Sequence, residues 1–98
     1  MNDTVYSVSN ISTFLQPVFE SHHIKKAVLF GSYAKGSASH ESDVDILVDS
    51  GLKGLAFFGL LEDVVTALDK DVDMLDTSQV IPQSEVDREI RKNGVIIF

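Results

Sequence analysis

The chain has 98 residues, with 15 acidic and 8 basic side chains and a formal charge of −7. That balance opposes binding to nucleic acid or to anionic membranes, since both are polyanions. The absence of cysteine excludes disulfides, thiolate metal sites and a cysteine nucleophile, while an apolar fraction of 44% suits a packed core and not a disordered tail.

At this length one core is expected, and hence a single domain over residues 1–98. The opening MNDTVYSVSN lacks a basic-then-apolar leader pattern, and the longest apolar run, LAFFGLL, is too short to cross a bilayer. A soluble cytoplasmic protein is the expectation.

In residues 7–21 the apolar side chains Val8, Ile11, Leu15, Val18 and Phe19 recur at helical spacing, and Pro17 should kink or restart that helix. Residues 25–30 read as a buried strand closed by Gly31. Residues 31–42, rich in Gly, Ser and Ala, read as a loop with room for one helical turn after Ser32. Residues 43–49 alternate, with Val44, Ile46 and Val48 on one face and Asp43, Asp45, Leu47 and Asp49 on the other. A turn at 51–54 precedes a helix over 55–68, whose stripe is Phe57, Leu60, Leu61, Val64 and Leu68. Leu55 and Phe58 lie off that stripe and read as the margin of a wide core face, with a partner interface as the second reading. A third strand covers 72–75. Thr77 or Ser78 is expected to cap the next helix, with Pro82 in its first turn, Val86 and Ile90 facing inward and Asn93-Gly94 as its stop. A short strand over 95–98 closes the chain. The order αβ(α)βαβαβ predicts an α/β (α+β) domain, a small mixed sheet with helices packed on it.

Three features coincide around residues 31–45. Gly31-Ser32 follows a strand, where glycine permits close backbone approach to a ligand and serine adds a donor. Asp43 and Asp45, two apart at a strand start, point to one face and repel each other unless a cation lies between them; oxygen donors suit Mg²⁺. Each feature alone also fits an ordinary turn or a solvated strand edge. Asp73 repeats the pattern on the next strand. The helix over 55–68 is a crossover of the kind that joins parallel strands, which would set Asp73 beside Asp45. If the first two strands pair antiparallel, Gly31, Ser32, Asp43, Asp45 and Asp73 converge at one end of the sheet. Three carboxylates holding two metal ions can clamp a triphosphate, with Asp73 placed to take a proton from an attacking hydroxyl. The reaction class is nucleotidyl transfer, with pyrophosphate leaving. His22, His23 and His40 read as surface residues, Asp71 and Asp76 as strand-end surface residues. Tyr33 either stacks on a base or packs under the loop, and Tyr6 has no context.

The arrangement of Gly-Ser, ten residues, Asp-x-Asp and a later Asp resembles the minimal nucleotidyltransferase (MNT) branch of the polymerase-β-like nucleotidyltransferases. The likeness runs through LFGSYAKGSASHESDVDILVD and VDML, and the IRKNGVII ending is also similar. The resemblance implies that Asp43, Asp45 and Asp73 are the catalytic, metal-binding carboxylates, that Gly31 and Ser32 contact the triphosphate, and that Mg²⁺ (two ions) and ATP are used. Lys35 stands where the family more often has Arg, and loses the fork geometry.

The 98 residues leave no room for an acceptor domain, so another macromolecule is expected to present the acceptor. The resemblance implies a HEPN-domain RNase toxin as partner, neutralised by transfer of AMP from ATP to a toxin tyrosine, with the chain acting as antitoxin. The charge of −7 suits a basic partner, and equally suits simple solubility. Two other readings stand beside this one: a non-catalytic binding module that occludes its partner, and a transferase acting on a small molecule of the aminoglycoside type. Homo- or hetero-oligomerisation stays open.

Overall fold

The computed structural model describes residues 3–98. The elements run α1 (Val8–Ser21), β1 (Lys26–Phe30), α2 (Gly31–Lys35), β2 (Val44–Asp49), α3 (Leu55–Leu68), β3 (Val72–Asp76), a 3-10 turn (Thr77–Gln79), α4 (Glu85–Asn93) and β4 (Val95–Ile96). The expected alternation is present, with a four-stranded mixed sheet in the order β3-β2-β1-β4. β1 is antiparallel to β2 and β4, while β2 and β3 are parallel across the α3 crossover.

One face of the sheet builds the core. Ala27, Leu29, Val44, Ile46 and Val48 are fully buried there, against Ile11, Leu15 and Phe19 of α1 and Leu60, Val64 and Leu68 of α3. Each large side chain so buried contributes about 1.5–3 kcal/mol. α1 begins at Ser7, whose Oγ accepts the Asn10 N–H at 3.0 Å. It runs unbroken through Pro17, because Ile11 and Leu15 before the proline and Phe19 after it are all anchored in the same core. Tyr6 gains a context: its hydroxyl donates at 2.7 Å to the carbonyl of Leu68, the last residue of α3.

The second face carries α4, which packs on β1 and α2. Gly94 permits this closeness: its φ is not left-handed, but a Cβ there would run into the Ile90 carbonyl and the Val28 side chain. The cap of α4 differs from expectation. Asp76, not Thr77 or Ser78, accepts the first free N–H and turns 77–79 into a 3-10 turn. The chain then passes Pro82, and α4 starts at Ser84, whose Oγ accepts the Asp87 N–H at 3.2 Å. Its inner face is incompletely covered, with Val86 38% exposed. Leu55 and Phe58 are not core margin: they are 88% and 63% exposed at the start of α3. Among the described residues no helix is long and apolar enough to cross a membrane.

Candidate active site

The strand registers assemble the site. Phe30 pairs with Asp45 across β1 and β2, and Asp45 pairs with Asp73 across β2 and β3. Paired residues share a face, so the two carboxylates stand side by side on the second face of the sheet, opposite the main core. Asp43 lies one residue before β2, and the Val44 N–H donates to the Asp71 carbonyl at 3.0 Å, fixing this end of the ladder. Gly31 follows Phe30 directly and has φ +71°. A Cβ at Gly31 would strike the Asp45 carboxylate, so glycine is required here both for conformation and for space. Ser32 is next, half-buried in the first turn of α2, which ends at Gly36 in the left-handed conformation. All five residues read from the sequence are thus brought to one end of the sheet.

The electrostatics mark Asp45 as the strained member. Its carboxyl is pushed up to about 6, first by burial and then by the charges of Asp73, Asp43 and Glu89. The donor set is all oxygen and its charges repel, which fits a hard divalent cation. Among the described residues, however, no three such side chains are gathered closely enough to form a ready-made metal cage.

Glu89 was not found from the sequence. It reaches toward the site from α4, pairs with Lys35 of α2 at 3.1 Å and accepts the Asn93 amide at 2.6 Å. The amide of Asn93, then Lys35, holds its carboxyl below the usual range. The only sequence signal was the Glu89–Asn93 spacing of one helical turn, which says nothing about α2. Lys35 is therefore placed beside the site, engaged with Glu89.

The loop before β2 is held by a Ser39–Ser42 turn, with Ser39 N–H donating to Ser42 Oγ at 2.9 Å. The buried Lys70 donates to the His40 carbonyl at 3.4 Å. A cleft of about 590 Å³ opens beside Asp43 between this loop and residues 69–71; Asp45 and Asp73 do not line it. His22 joins α1 to α3 through Asp63 at 2.7 Å, a surface role as expected. Tyr33 is 4% exposed and packs in the core, which decides against base stacking. Asp71 is exposed as expected, whereas Asp76 is not a surface residue: it is 6% exposed. It accepts Ser50 N–H at 3.1 Å, Ser50 Oγ–H at 2.5 Å, Ser78 N–H at 3.0 Å and Ser78 Oγ–H at 2.6 Å.

Comparison with known proteins agrees with this geometry. The family model described as polymerase beta, nucleotidyltransferase, matches residues 14–98. The chain is 32% identical over 79 residues to MJ0435 of Methanocaldococcus jannaschii, named as a candidate protein adenylyltransferase, covering 78% of this chain and 84% of that protein. It is 42% identical over 50 residues to protein adenylyltransferase MntA of Shewanella oneidensis, covering 49% of this chain and 36% of that one. Among solved structures, a chain of a toxin–antitoxin crystallised with AMP-PNP superposes with a TM-score of 0.74 at 26% identity, covering 89% of this chain and 72% of that chain.

Proposed function

The chain belongs to the polymerase β nucleotidyltransferase family, and on that premise we propose that it is a protein adenylyltransferase that neutralises a toxin. The observation that carries this reading is the Asp45–Asp73 pairing in adjacent parallel strands, with Gly31 pressed against Asp45. The names of its relatives support protein as the acceptor and a toxin as the partner. The finer assignment is AMP transfer from ATP to a tyrosine hydroxyl of a HEPN-type RNase in the cytoplasm, with residues 1–98 acting as one minimal domain.

In this reading Asp43, Asp45 and Asp73 hold Mg²⁺, which when bound neutralises the triphosphate and polarises the α-phosphate. Gly31 and Ser32 contact the outer phosphates, glycine allowing the approach and serine donating. Asp73 is exposed at the sheet surface, where a hydroxyl can reach it. It takes the hydroxyl proton as the acceptor oxygen bonds to the α-phosphorus. The bond from that phosphorus to the bridging oxygen breaks, pyrophosphate leaves, and the acceptor keeps AMP.

The test incubates the chain with the protein encoded beside it, Mg²⁺ and ATP, and records the partner's intact mass. A gain of one or more AMP units, absent with Asp43→Asn, is the expected result. A stable complex without mass gain, neutralising equally well with Asp43→Asn, would replace catalysis by occlusion.

A further inference from the structure

The carboxylates occupy one row of the second sheet face, and the next row is apolar across all four strands. Ile96 of β4 pairs with Val28 of β1, Val28 with Leu47 of β2, and Leu47 with Leu75 of β3. Asp45 and Leu47 are two residues apart on one strand, as are Asp73 and Leu75, so the apolar row runs about 7 Å from the carboxylate row. Val28 is partly roofed where α4 ends at Gly94, Leu47 and Leu75 are half-buried, and Ile96 is 65% exposed. α4 lies on the row at Val28, with Leu47 and Leu75 on the Asp73 side of it and Ile96 on the other.

The other face of the sheet is filled by α1 and α3, so an acceptor reaches Asp73 across this face. We propose that the pair Leu47–Leu75 is the footing of the acceptor protein, which lays an apolar side chain on it next to the hydroxyl offered to Asp73. This rests on the transferase reading above. The apolar character of the pair fits side chains, not phosphates. Its flanks specify the charge of the occupant. Asp45 and Asp73 border it on one side and Asp49 on the other, with Lys26 facing Asp49 at the far corner and Glu89 above the carboxylates. In a chain of net charge −7 this border selects a basic segment and repels a polyanion.

The experiment uses three synthetic peptides with one tyrosine each: a lysine-flanked peptide with leucine two residues from the tyrosine, its twin with serine for leucine, and an acidic twin with glutamate for lysine. Binding is read by fluorescence anisotropy with Mg²⁺ and α,β-methylene-ATP, which cannot release AMP. The basic leucine peptide binds about tenfold more tightly than either twin; Leu75→Ser removes the preference over the serine twin, keeps the preference over the acidic twin, and leaves nucleotide affinity unaltered. Ile96→Ser, across α4 from the footing, is the control and leaves both preferences intact. Equal binding of the three peptides, no binding, a leucine preference that survives Leu75→Ser, or one that Ile96→Ser removes overturns the footing. A wild-type dimer in light scattering that Leu75→Ser dissociates also overturns it, assigning the pair to a second copy of the chain. With ATP and the protein encoded beside the chain in place of the analogue and the peptides, absence of AMP transfer beside an intact peptide preference would leave the footing standing and sink the transferase reading, so the two failures are distinguishable.

Discussion

The two ends of the β2–β3 ladder carry buried or half-buried aspartates in opposite circumstances. At one end Asp45 lies beside Asp73, with burial and neighbouring negative charge raising its carboxyl to about 6. At the other, Asp76 pairs with Val48 and accepts four hydrogen bonds from Ser50 and Ser78. Burial alone would raise the Asp76 carboxyl as well, but these donors outweigh it and hold it down to about 2. The residue type and the strands are the same; the difference is whether the protein itself supplies partners for the charge. Asp76 is satisfied internally and fastens the loop after β2 to the turn after β3. Asp45 is half-buried among like charges, with no donor to it among the described residues, which costs stability and leaves a place for a cation.

Neutralising the two aspartates should move stability in opposite senses, and should move activity at Asp45 alone. Asp45→Asn is expected to lower AMP transfer by roughly a thousandfold, the scale of a lost electrostatic contributor to a transition state. The same change should raise stability at pH 7 by about 1 kcal/mol, a value discounted for the solvent around a half-buried group. Asp76→Asn should leave the reacting groups in place and lower the melting temperature. Thermal melts of both variants beside transfer assays check the comparison; a loss of stability in both would dissolve it.

Gly31 sharpens the strained end. Gly31→Ala places a Cβ against Asp45 at a positive φ, and is expected to cost about 1–3 kcal/mol and to displace the carboxylate. Gly36→Ala is the control, with φ +76° but open space around the added carbon, and should cost about 1 kcal/mol from the backbone alone. Denaturant midpoints separate crowding from backbone strain, and nucleotide affinity should fall in the Gly31 variant alone.

The satisfied end makes a prediction about acid. The folded Asp76 carboxyl, at about 2, lies below the ordinary value of 3.8, so its ionised form stabilises the native state. That contribution, about 2 kcal/mol, is fully present well above the unfolded value and is lost as pH falls toward the folded one. Asp76→Asn should therefore be less stable than wild type by about 2 kcal/mol at pH 7, with the gap closing between about pH 4 and pH 2. Urea titrations across that window measure it; a gap that persists unchanged at pH 2 would show that lost geometry, not charge, sets the cost.

Much of this contrast was legible in the residues before the fold was seen. The alternation of Val44, Ile46 and Val48 and the stripe Leu60, Val64 and Leu68 set the sheet face and the crossover, and a crossover aligns Asp73 with Asp45. The satisfied end was hidden. Its donors, Ser50 and Ser78, lie in turns on either side of α3 and β3, and a turn serine gives no sign of which carboxylate it will meet. The start of α4 was misplaced for a related reason: two capping signals compete between 76 and 84, and the earlier one makes a 3-10 turn instead. Glu89 was hidden because a charged, sparsely apolar helix reads as solvated on every side. Leu55 and Phe58 were misread because hydrophobicity does not say which turn of a helix overhangs the sheet.

The smallest expected effect concerns a polar group that is buried without a partner. Tyr33 follows Ser32 in α2, is 4% exposed, and its hydroxyl has no hydrogen-bond partner among the described residues. Burial, with Tyr6 nearby, pushes its phenol above the ordinary value. Removing an unsatisfied hydroxyl while keeping the ring should relieve its desolvation without opening a cavity. Tyr33→Phe is therefore expected to stabilise the fold by up to about 1 kcal/mol, with nucleotide affinity unchanged. Urea unfolding measures the gain. A loss of similar size would instead mean that the hydroxyl binds a buried water, making Tyr33 a satisfied group like Asp76 and leaving Asp45 as the strained polar residue nearest the Gly31-Ser32 turn.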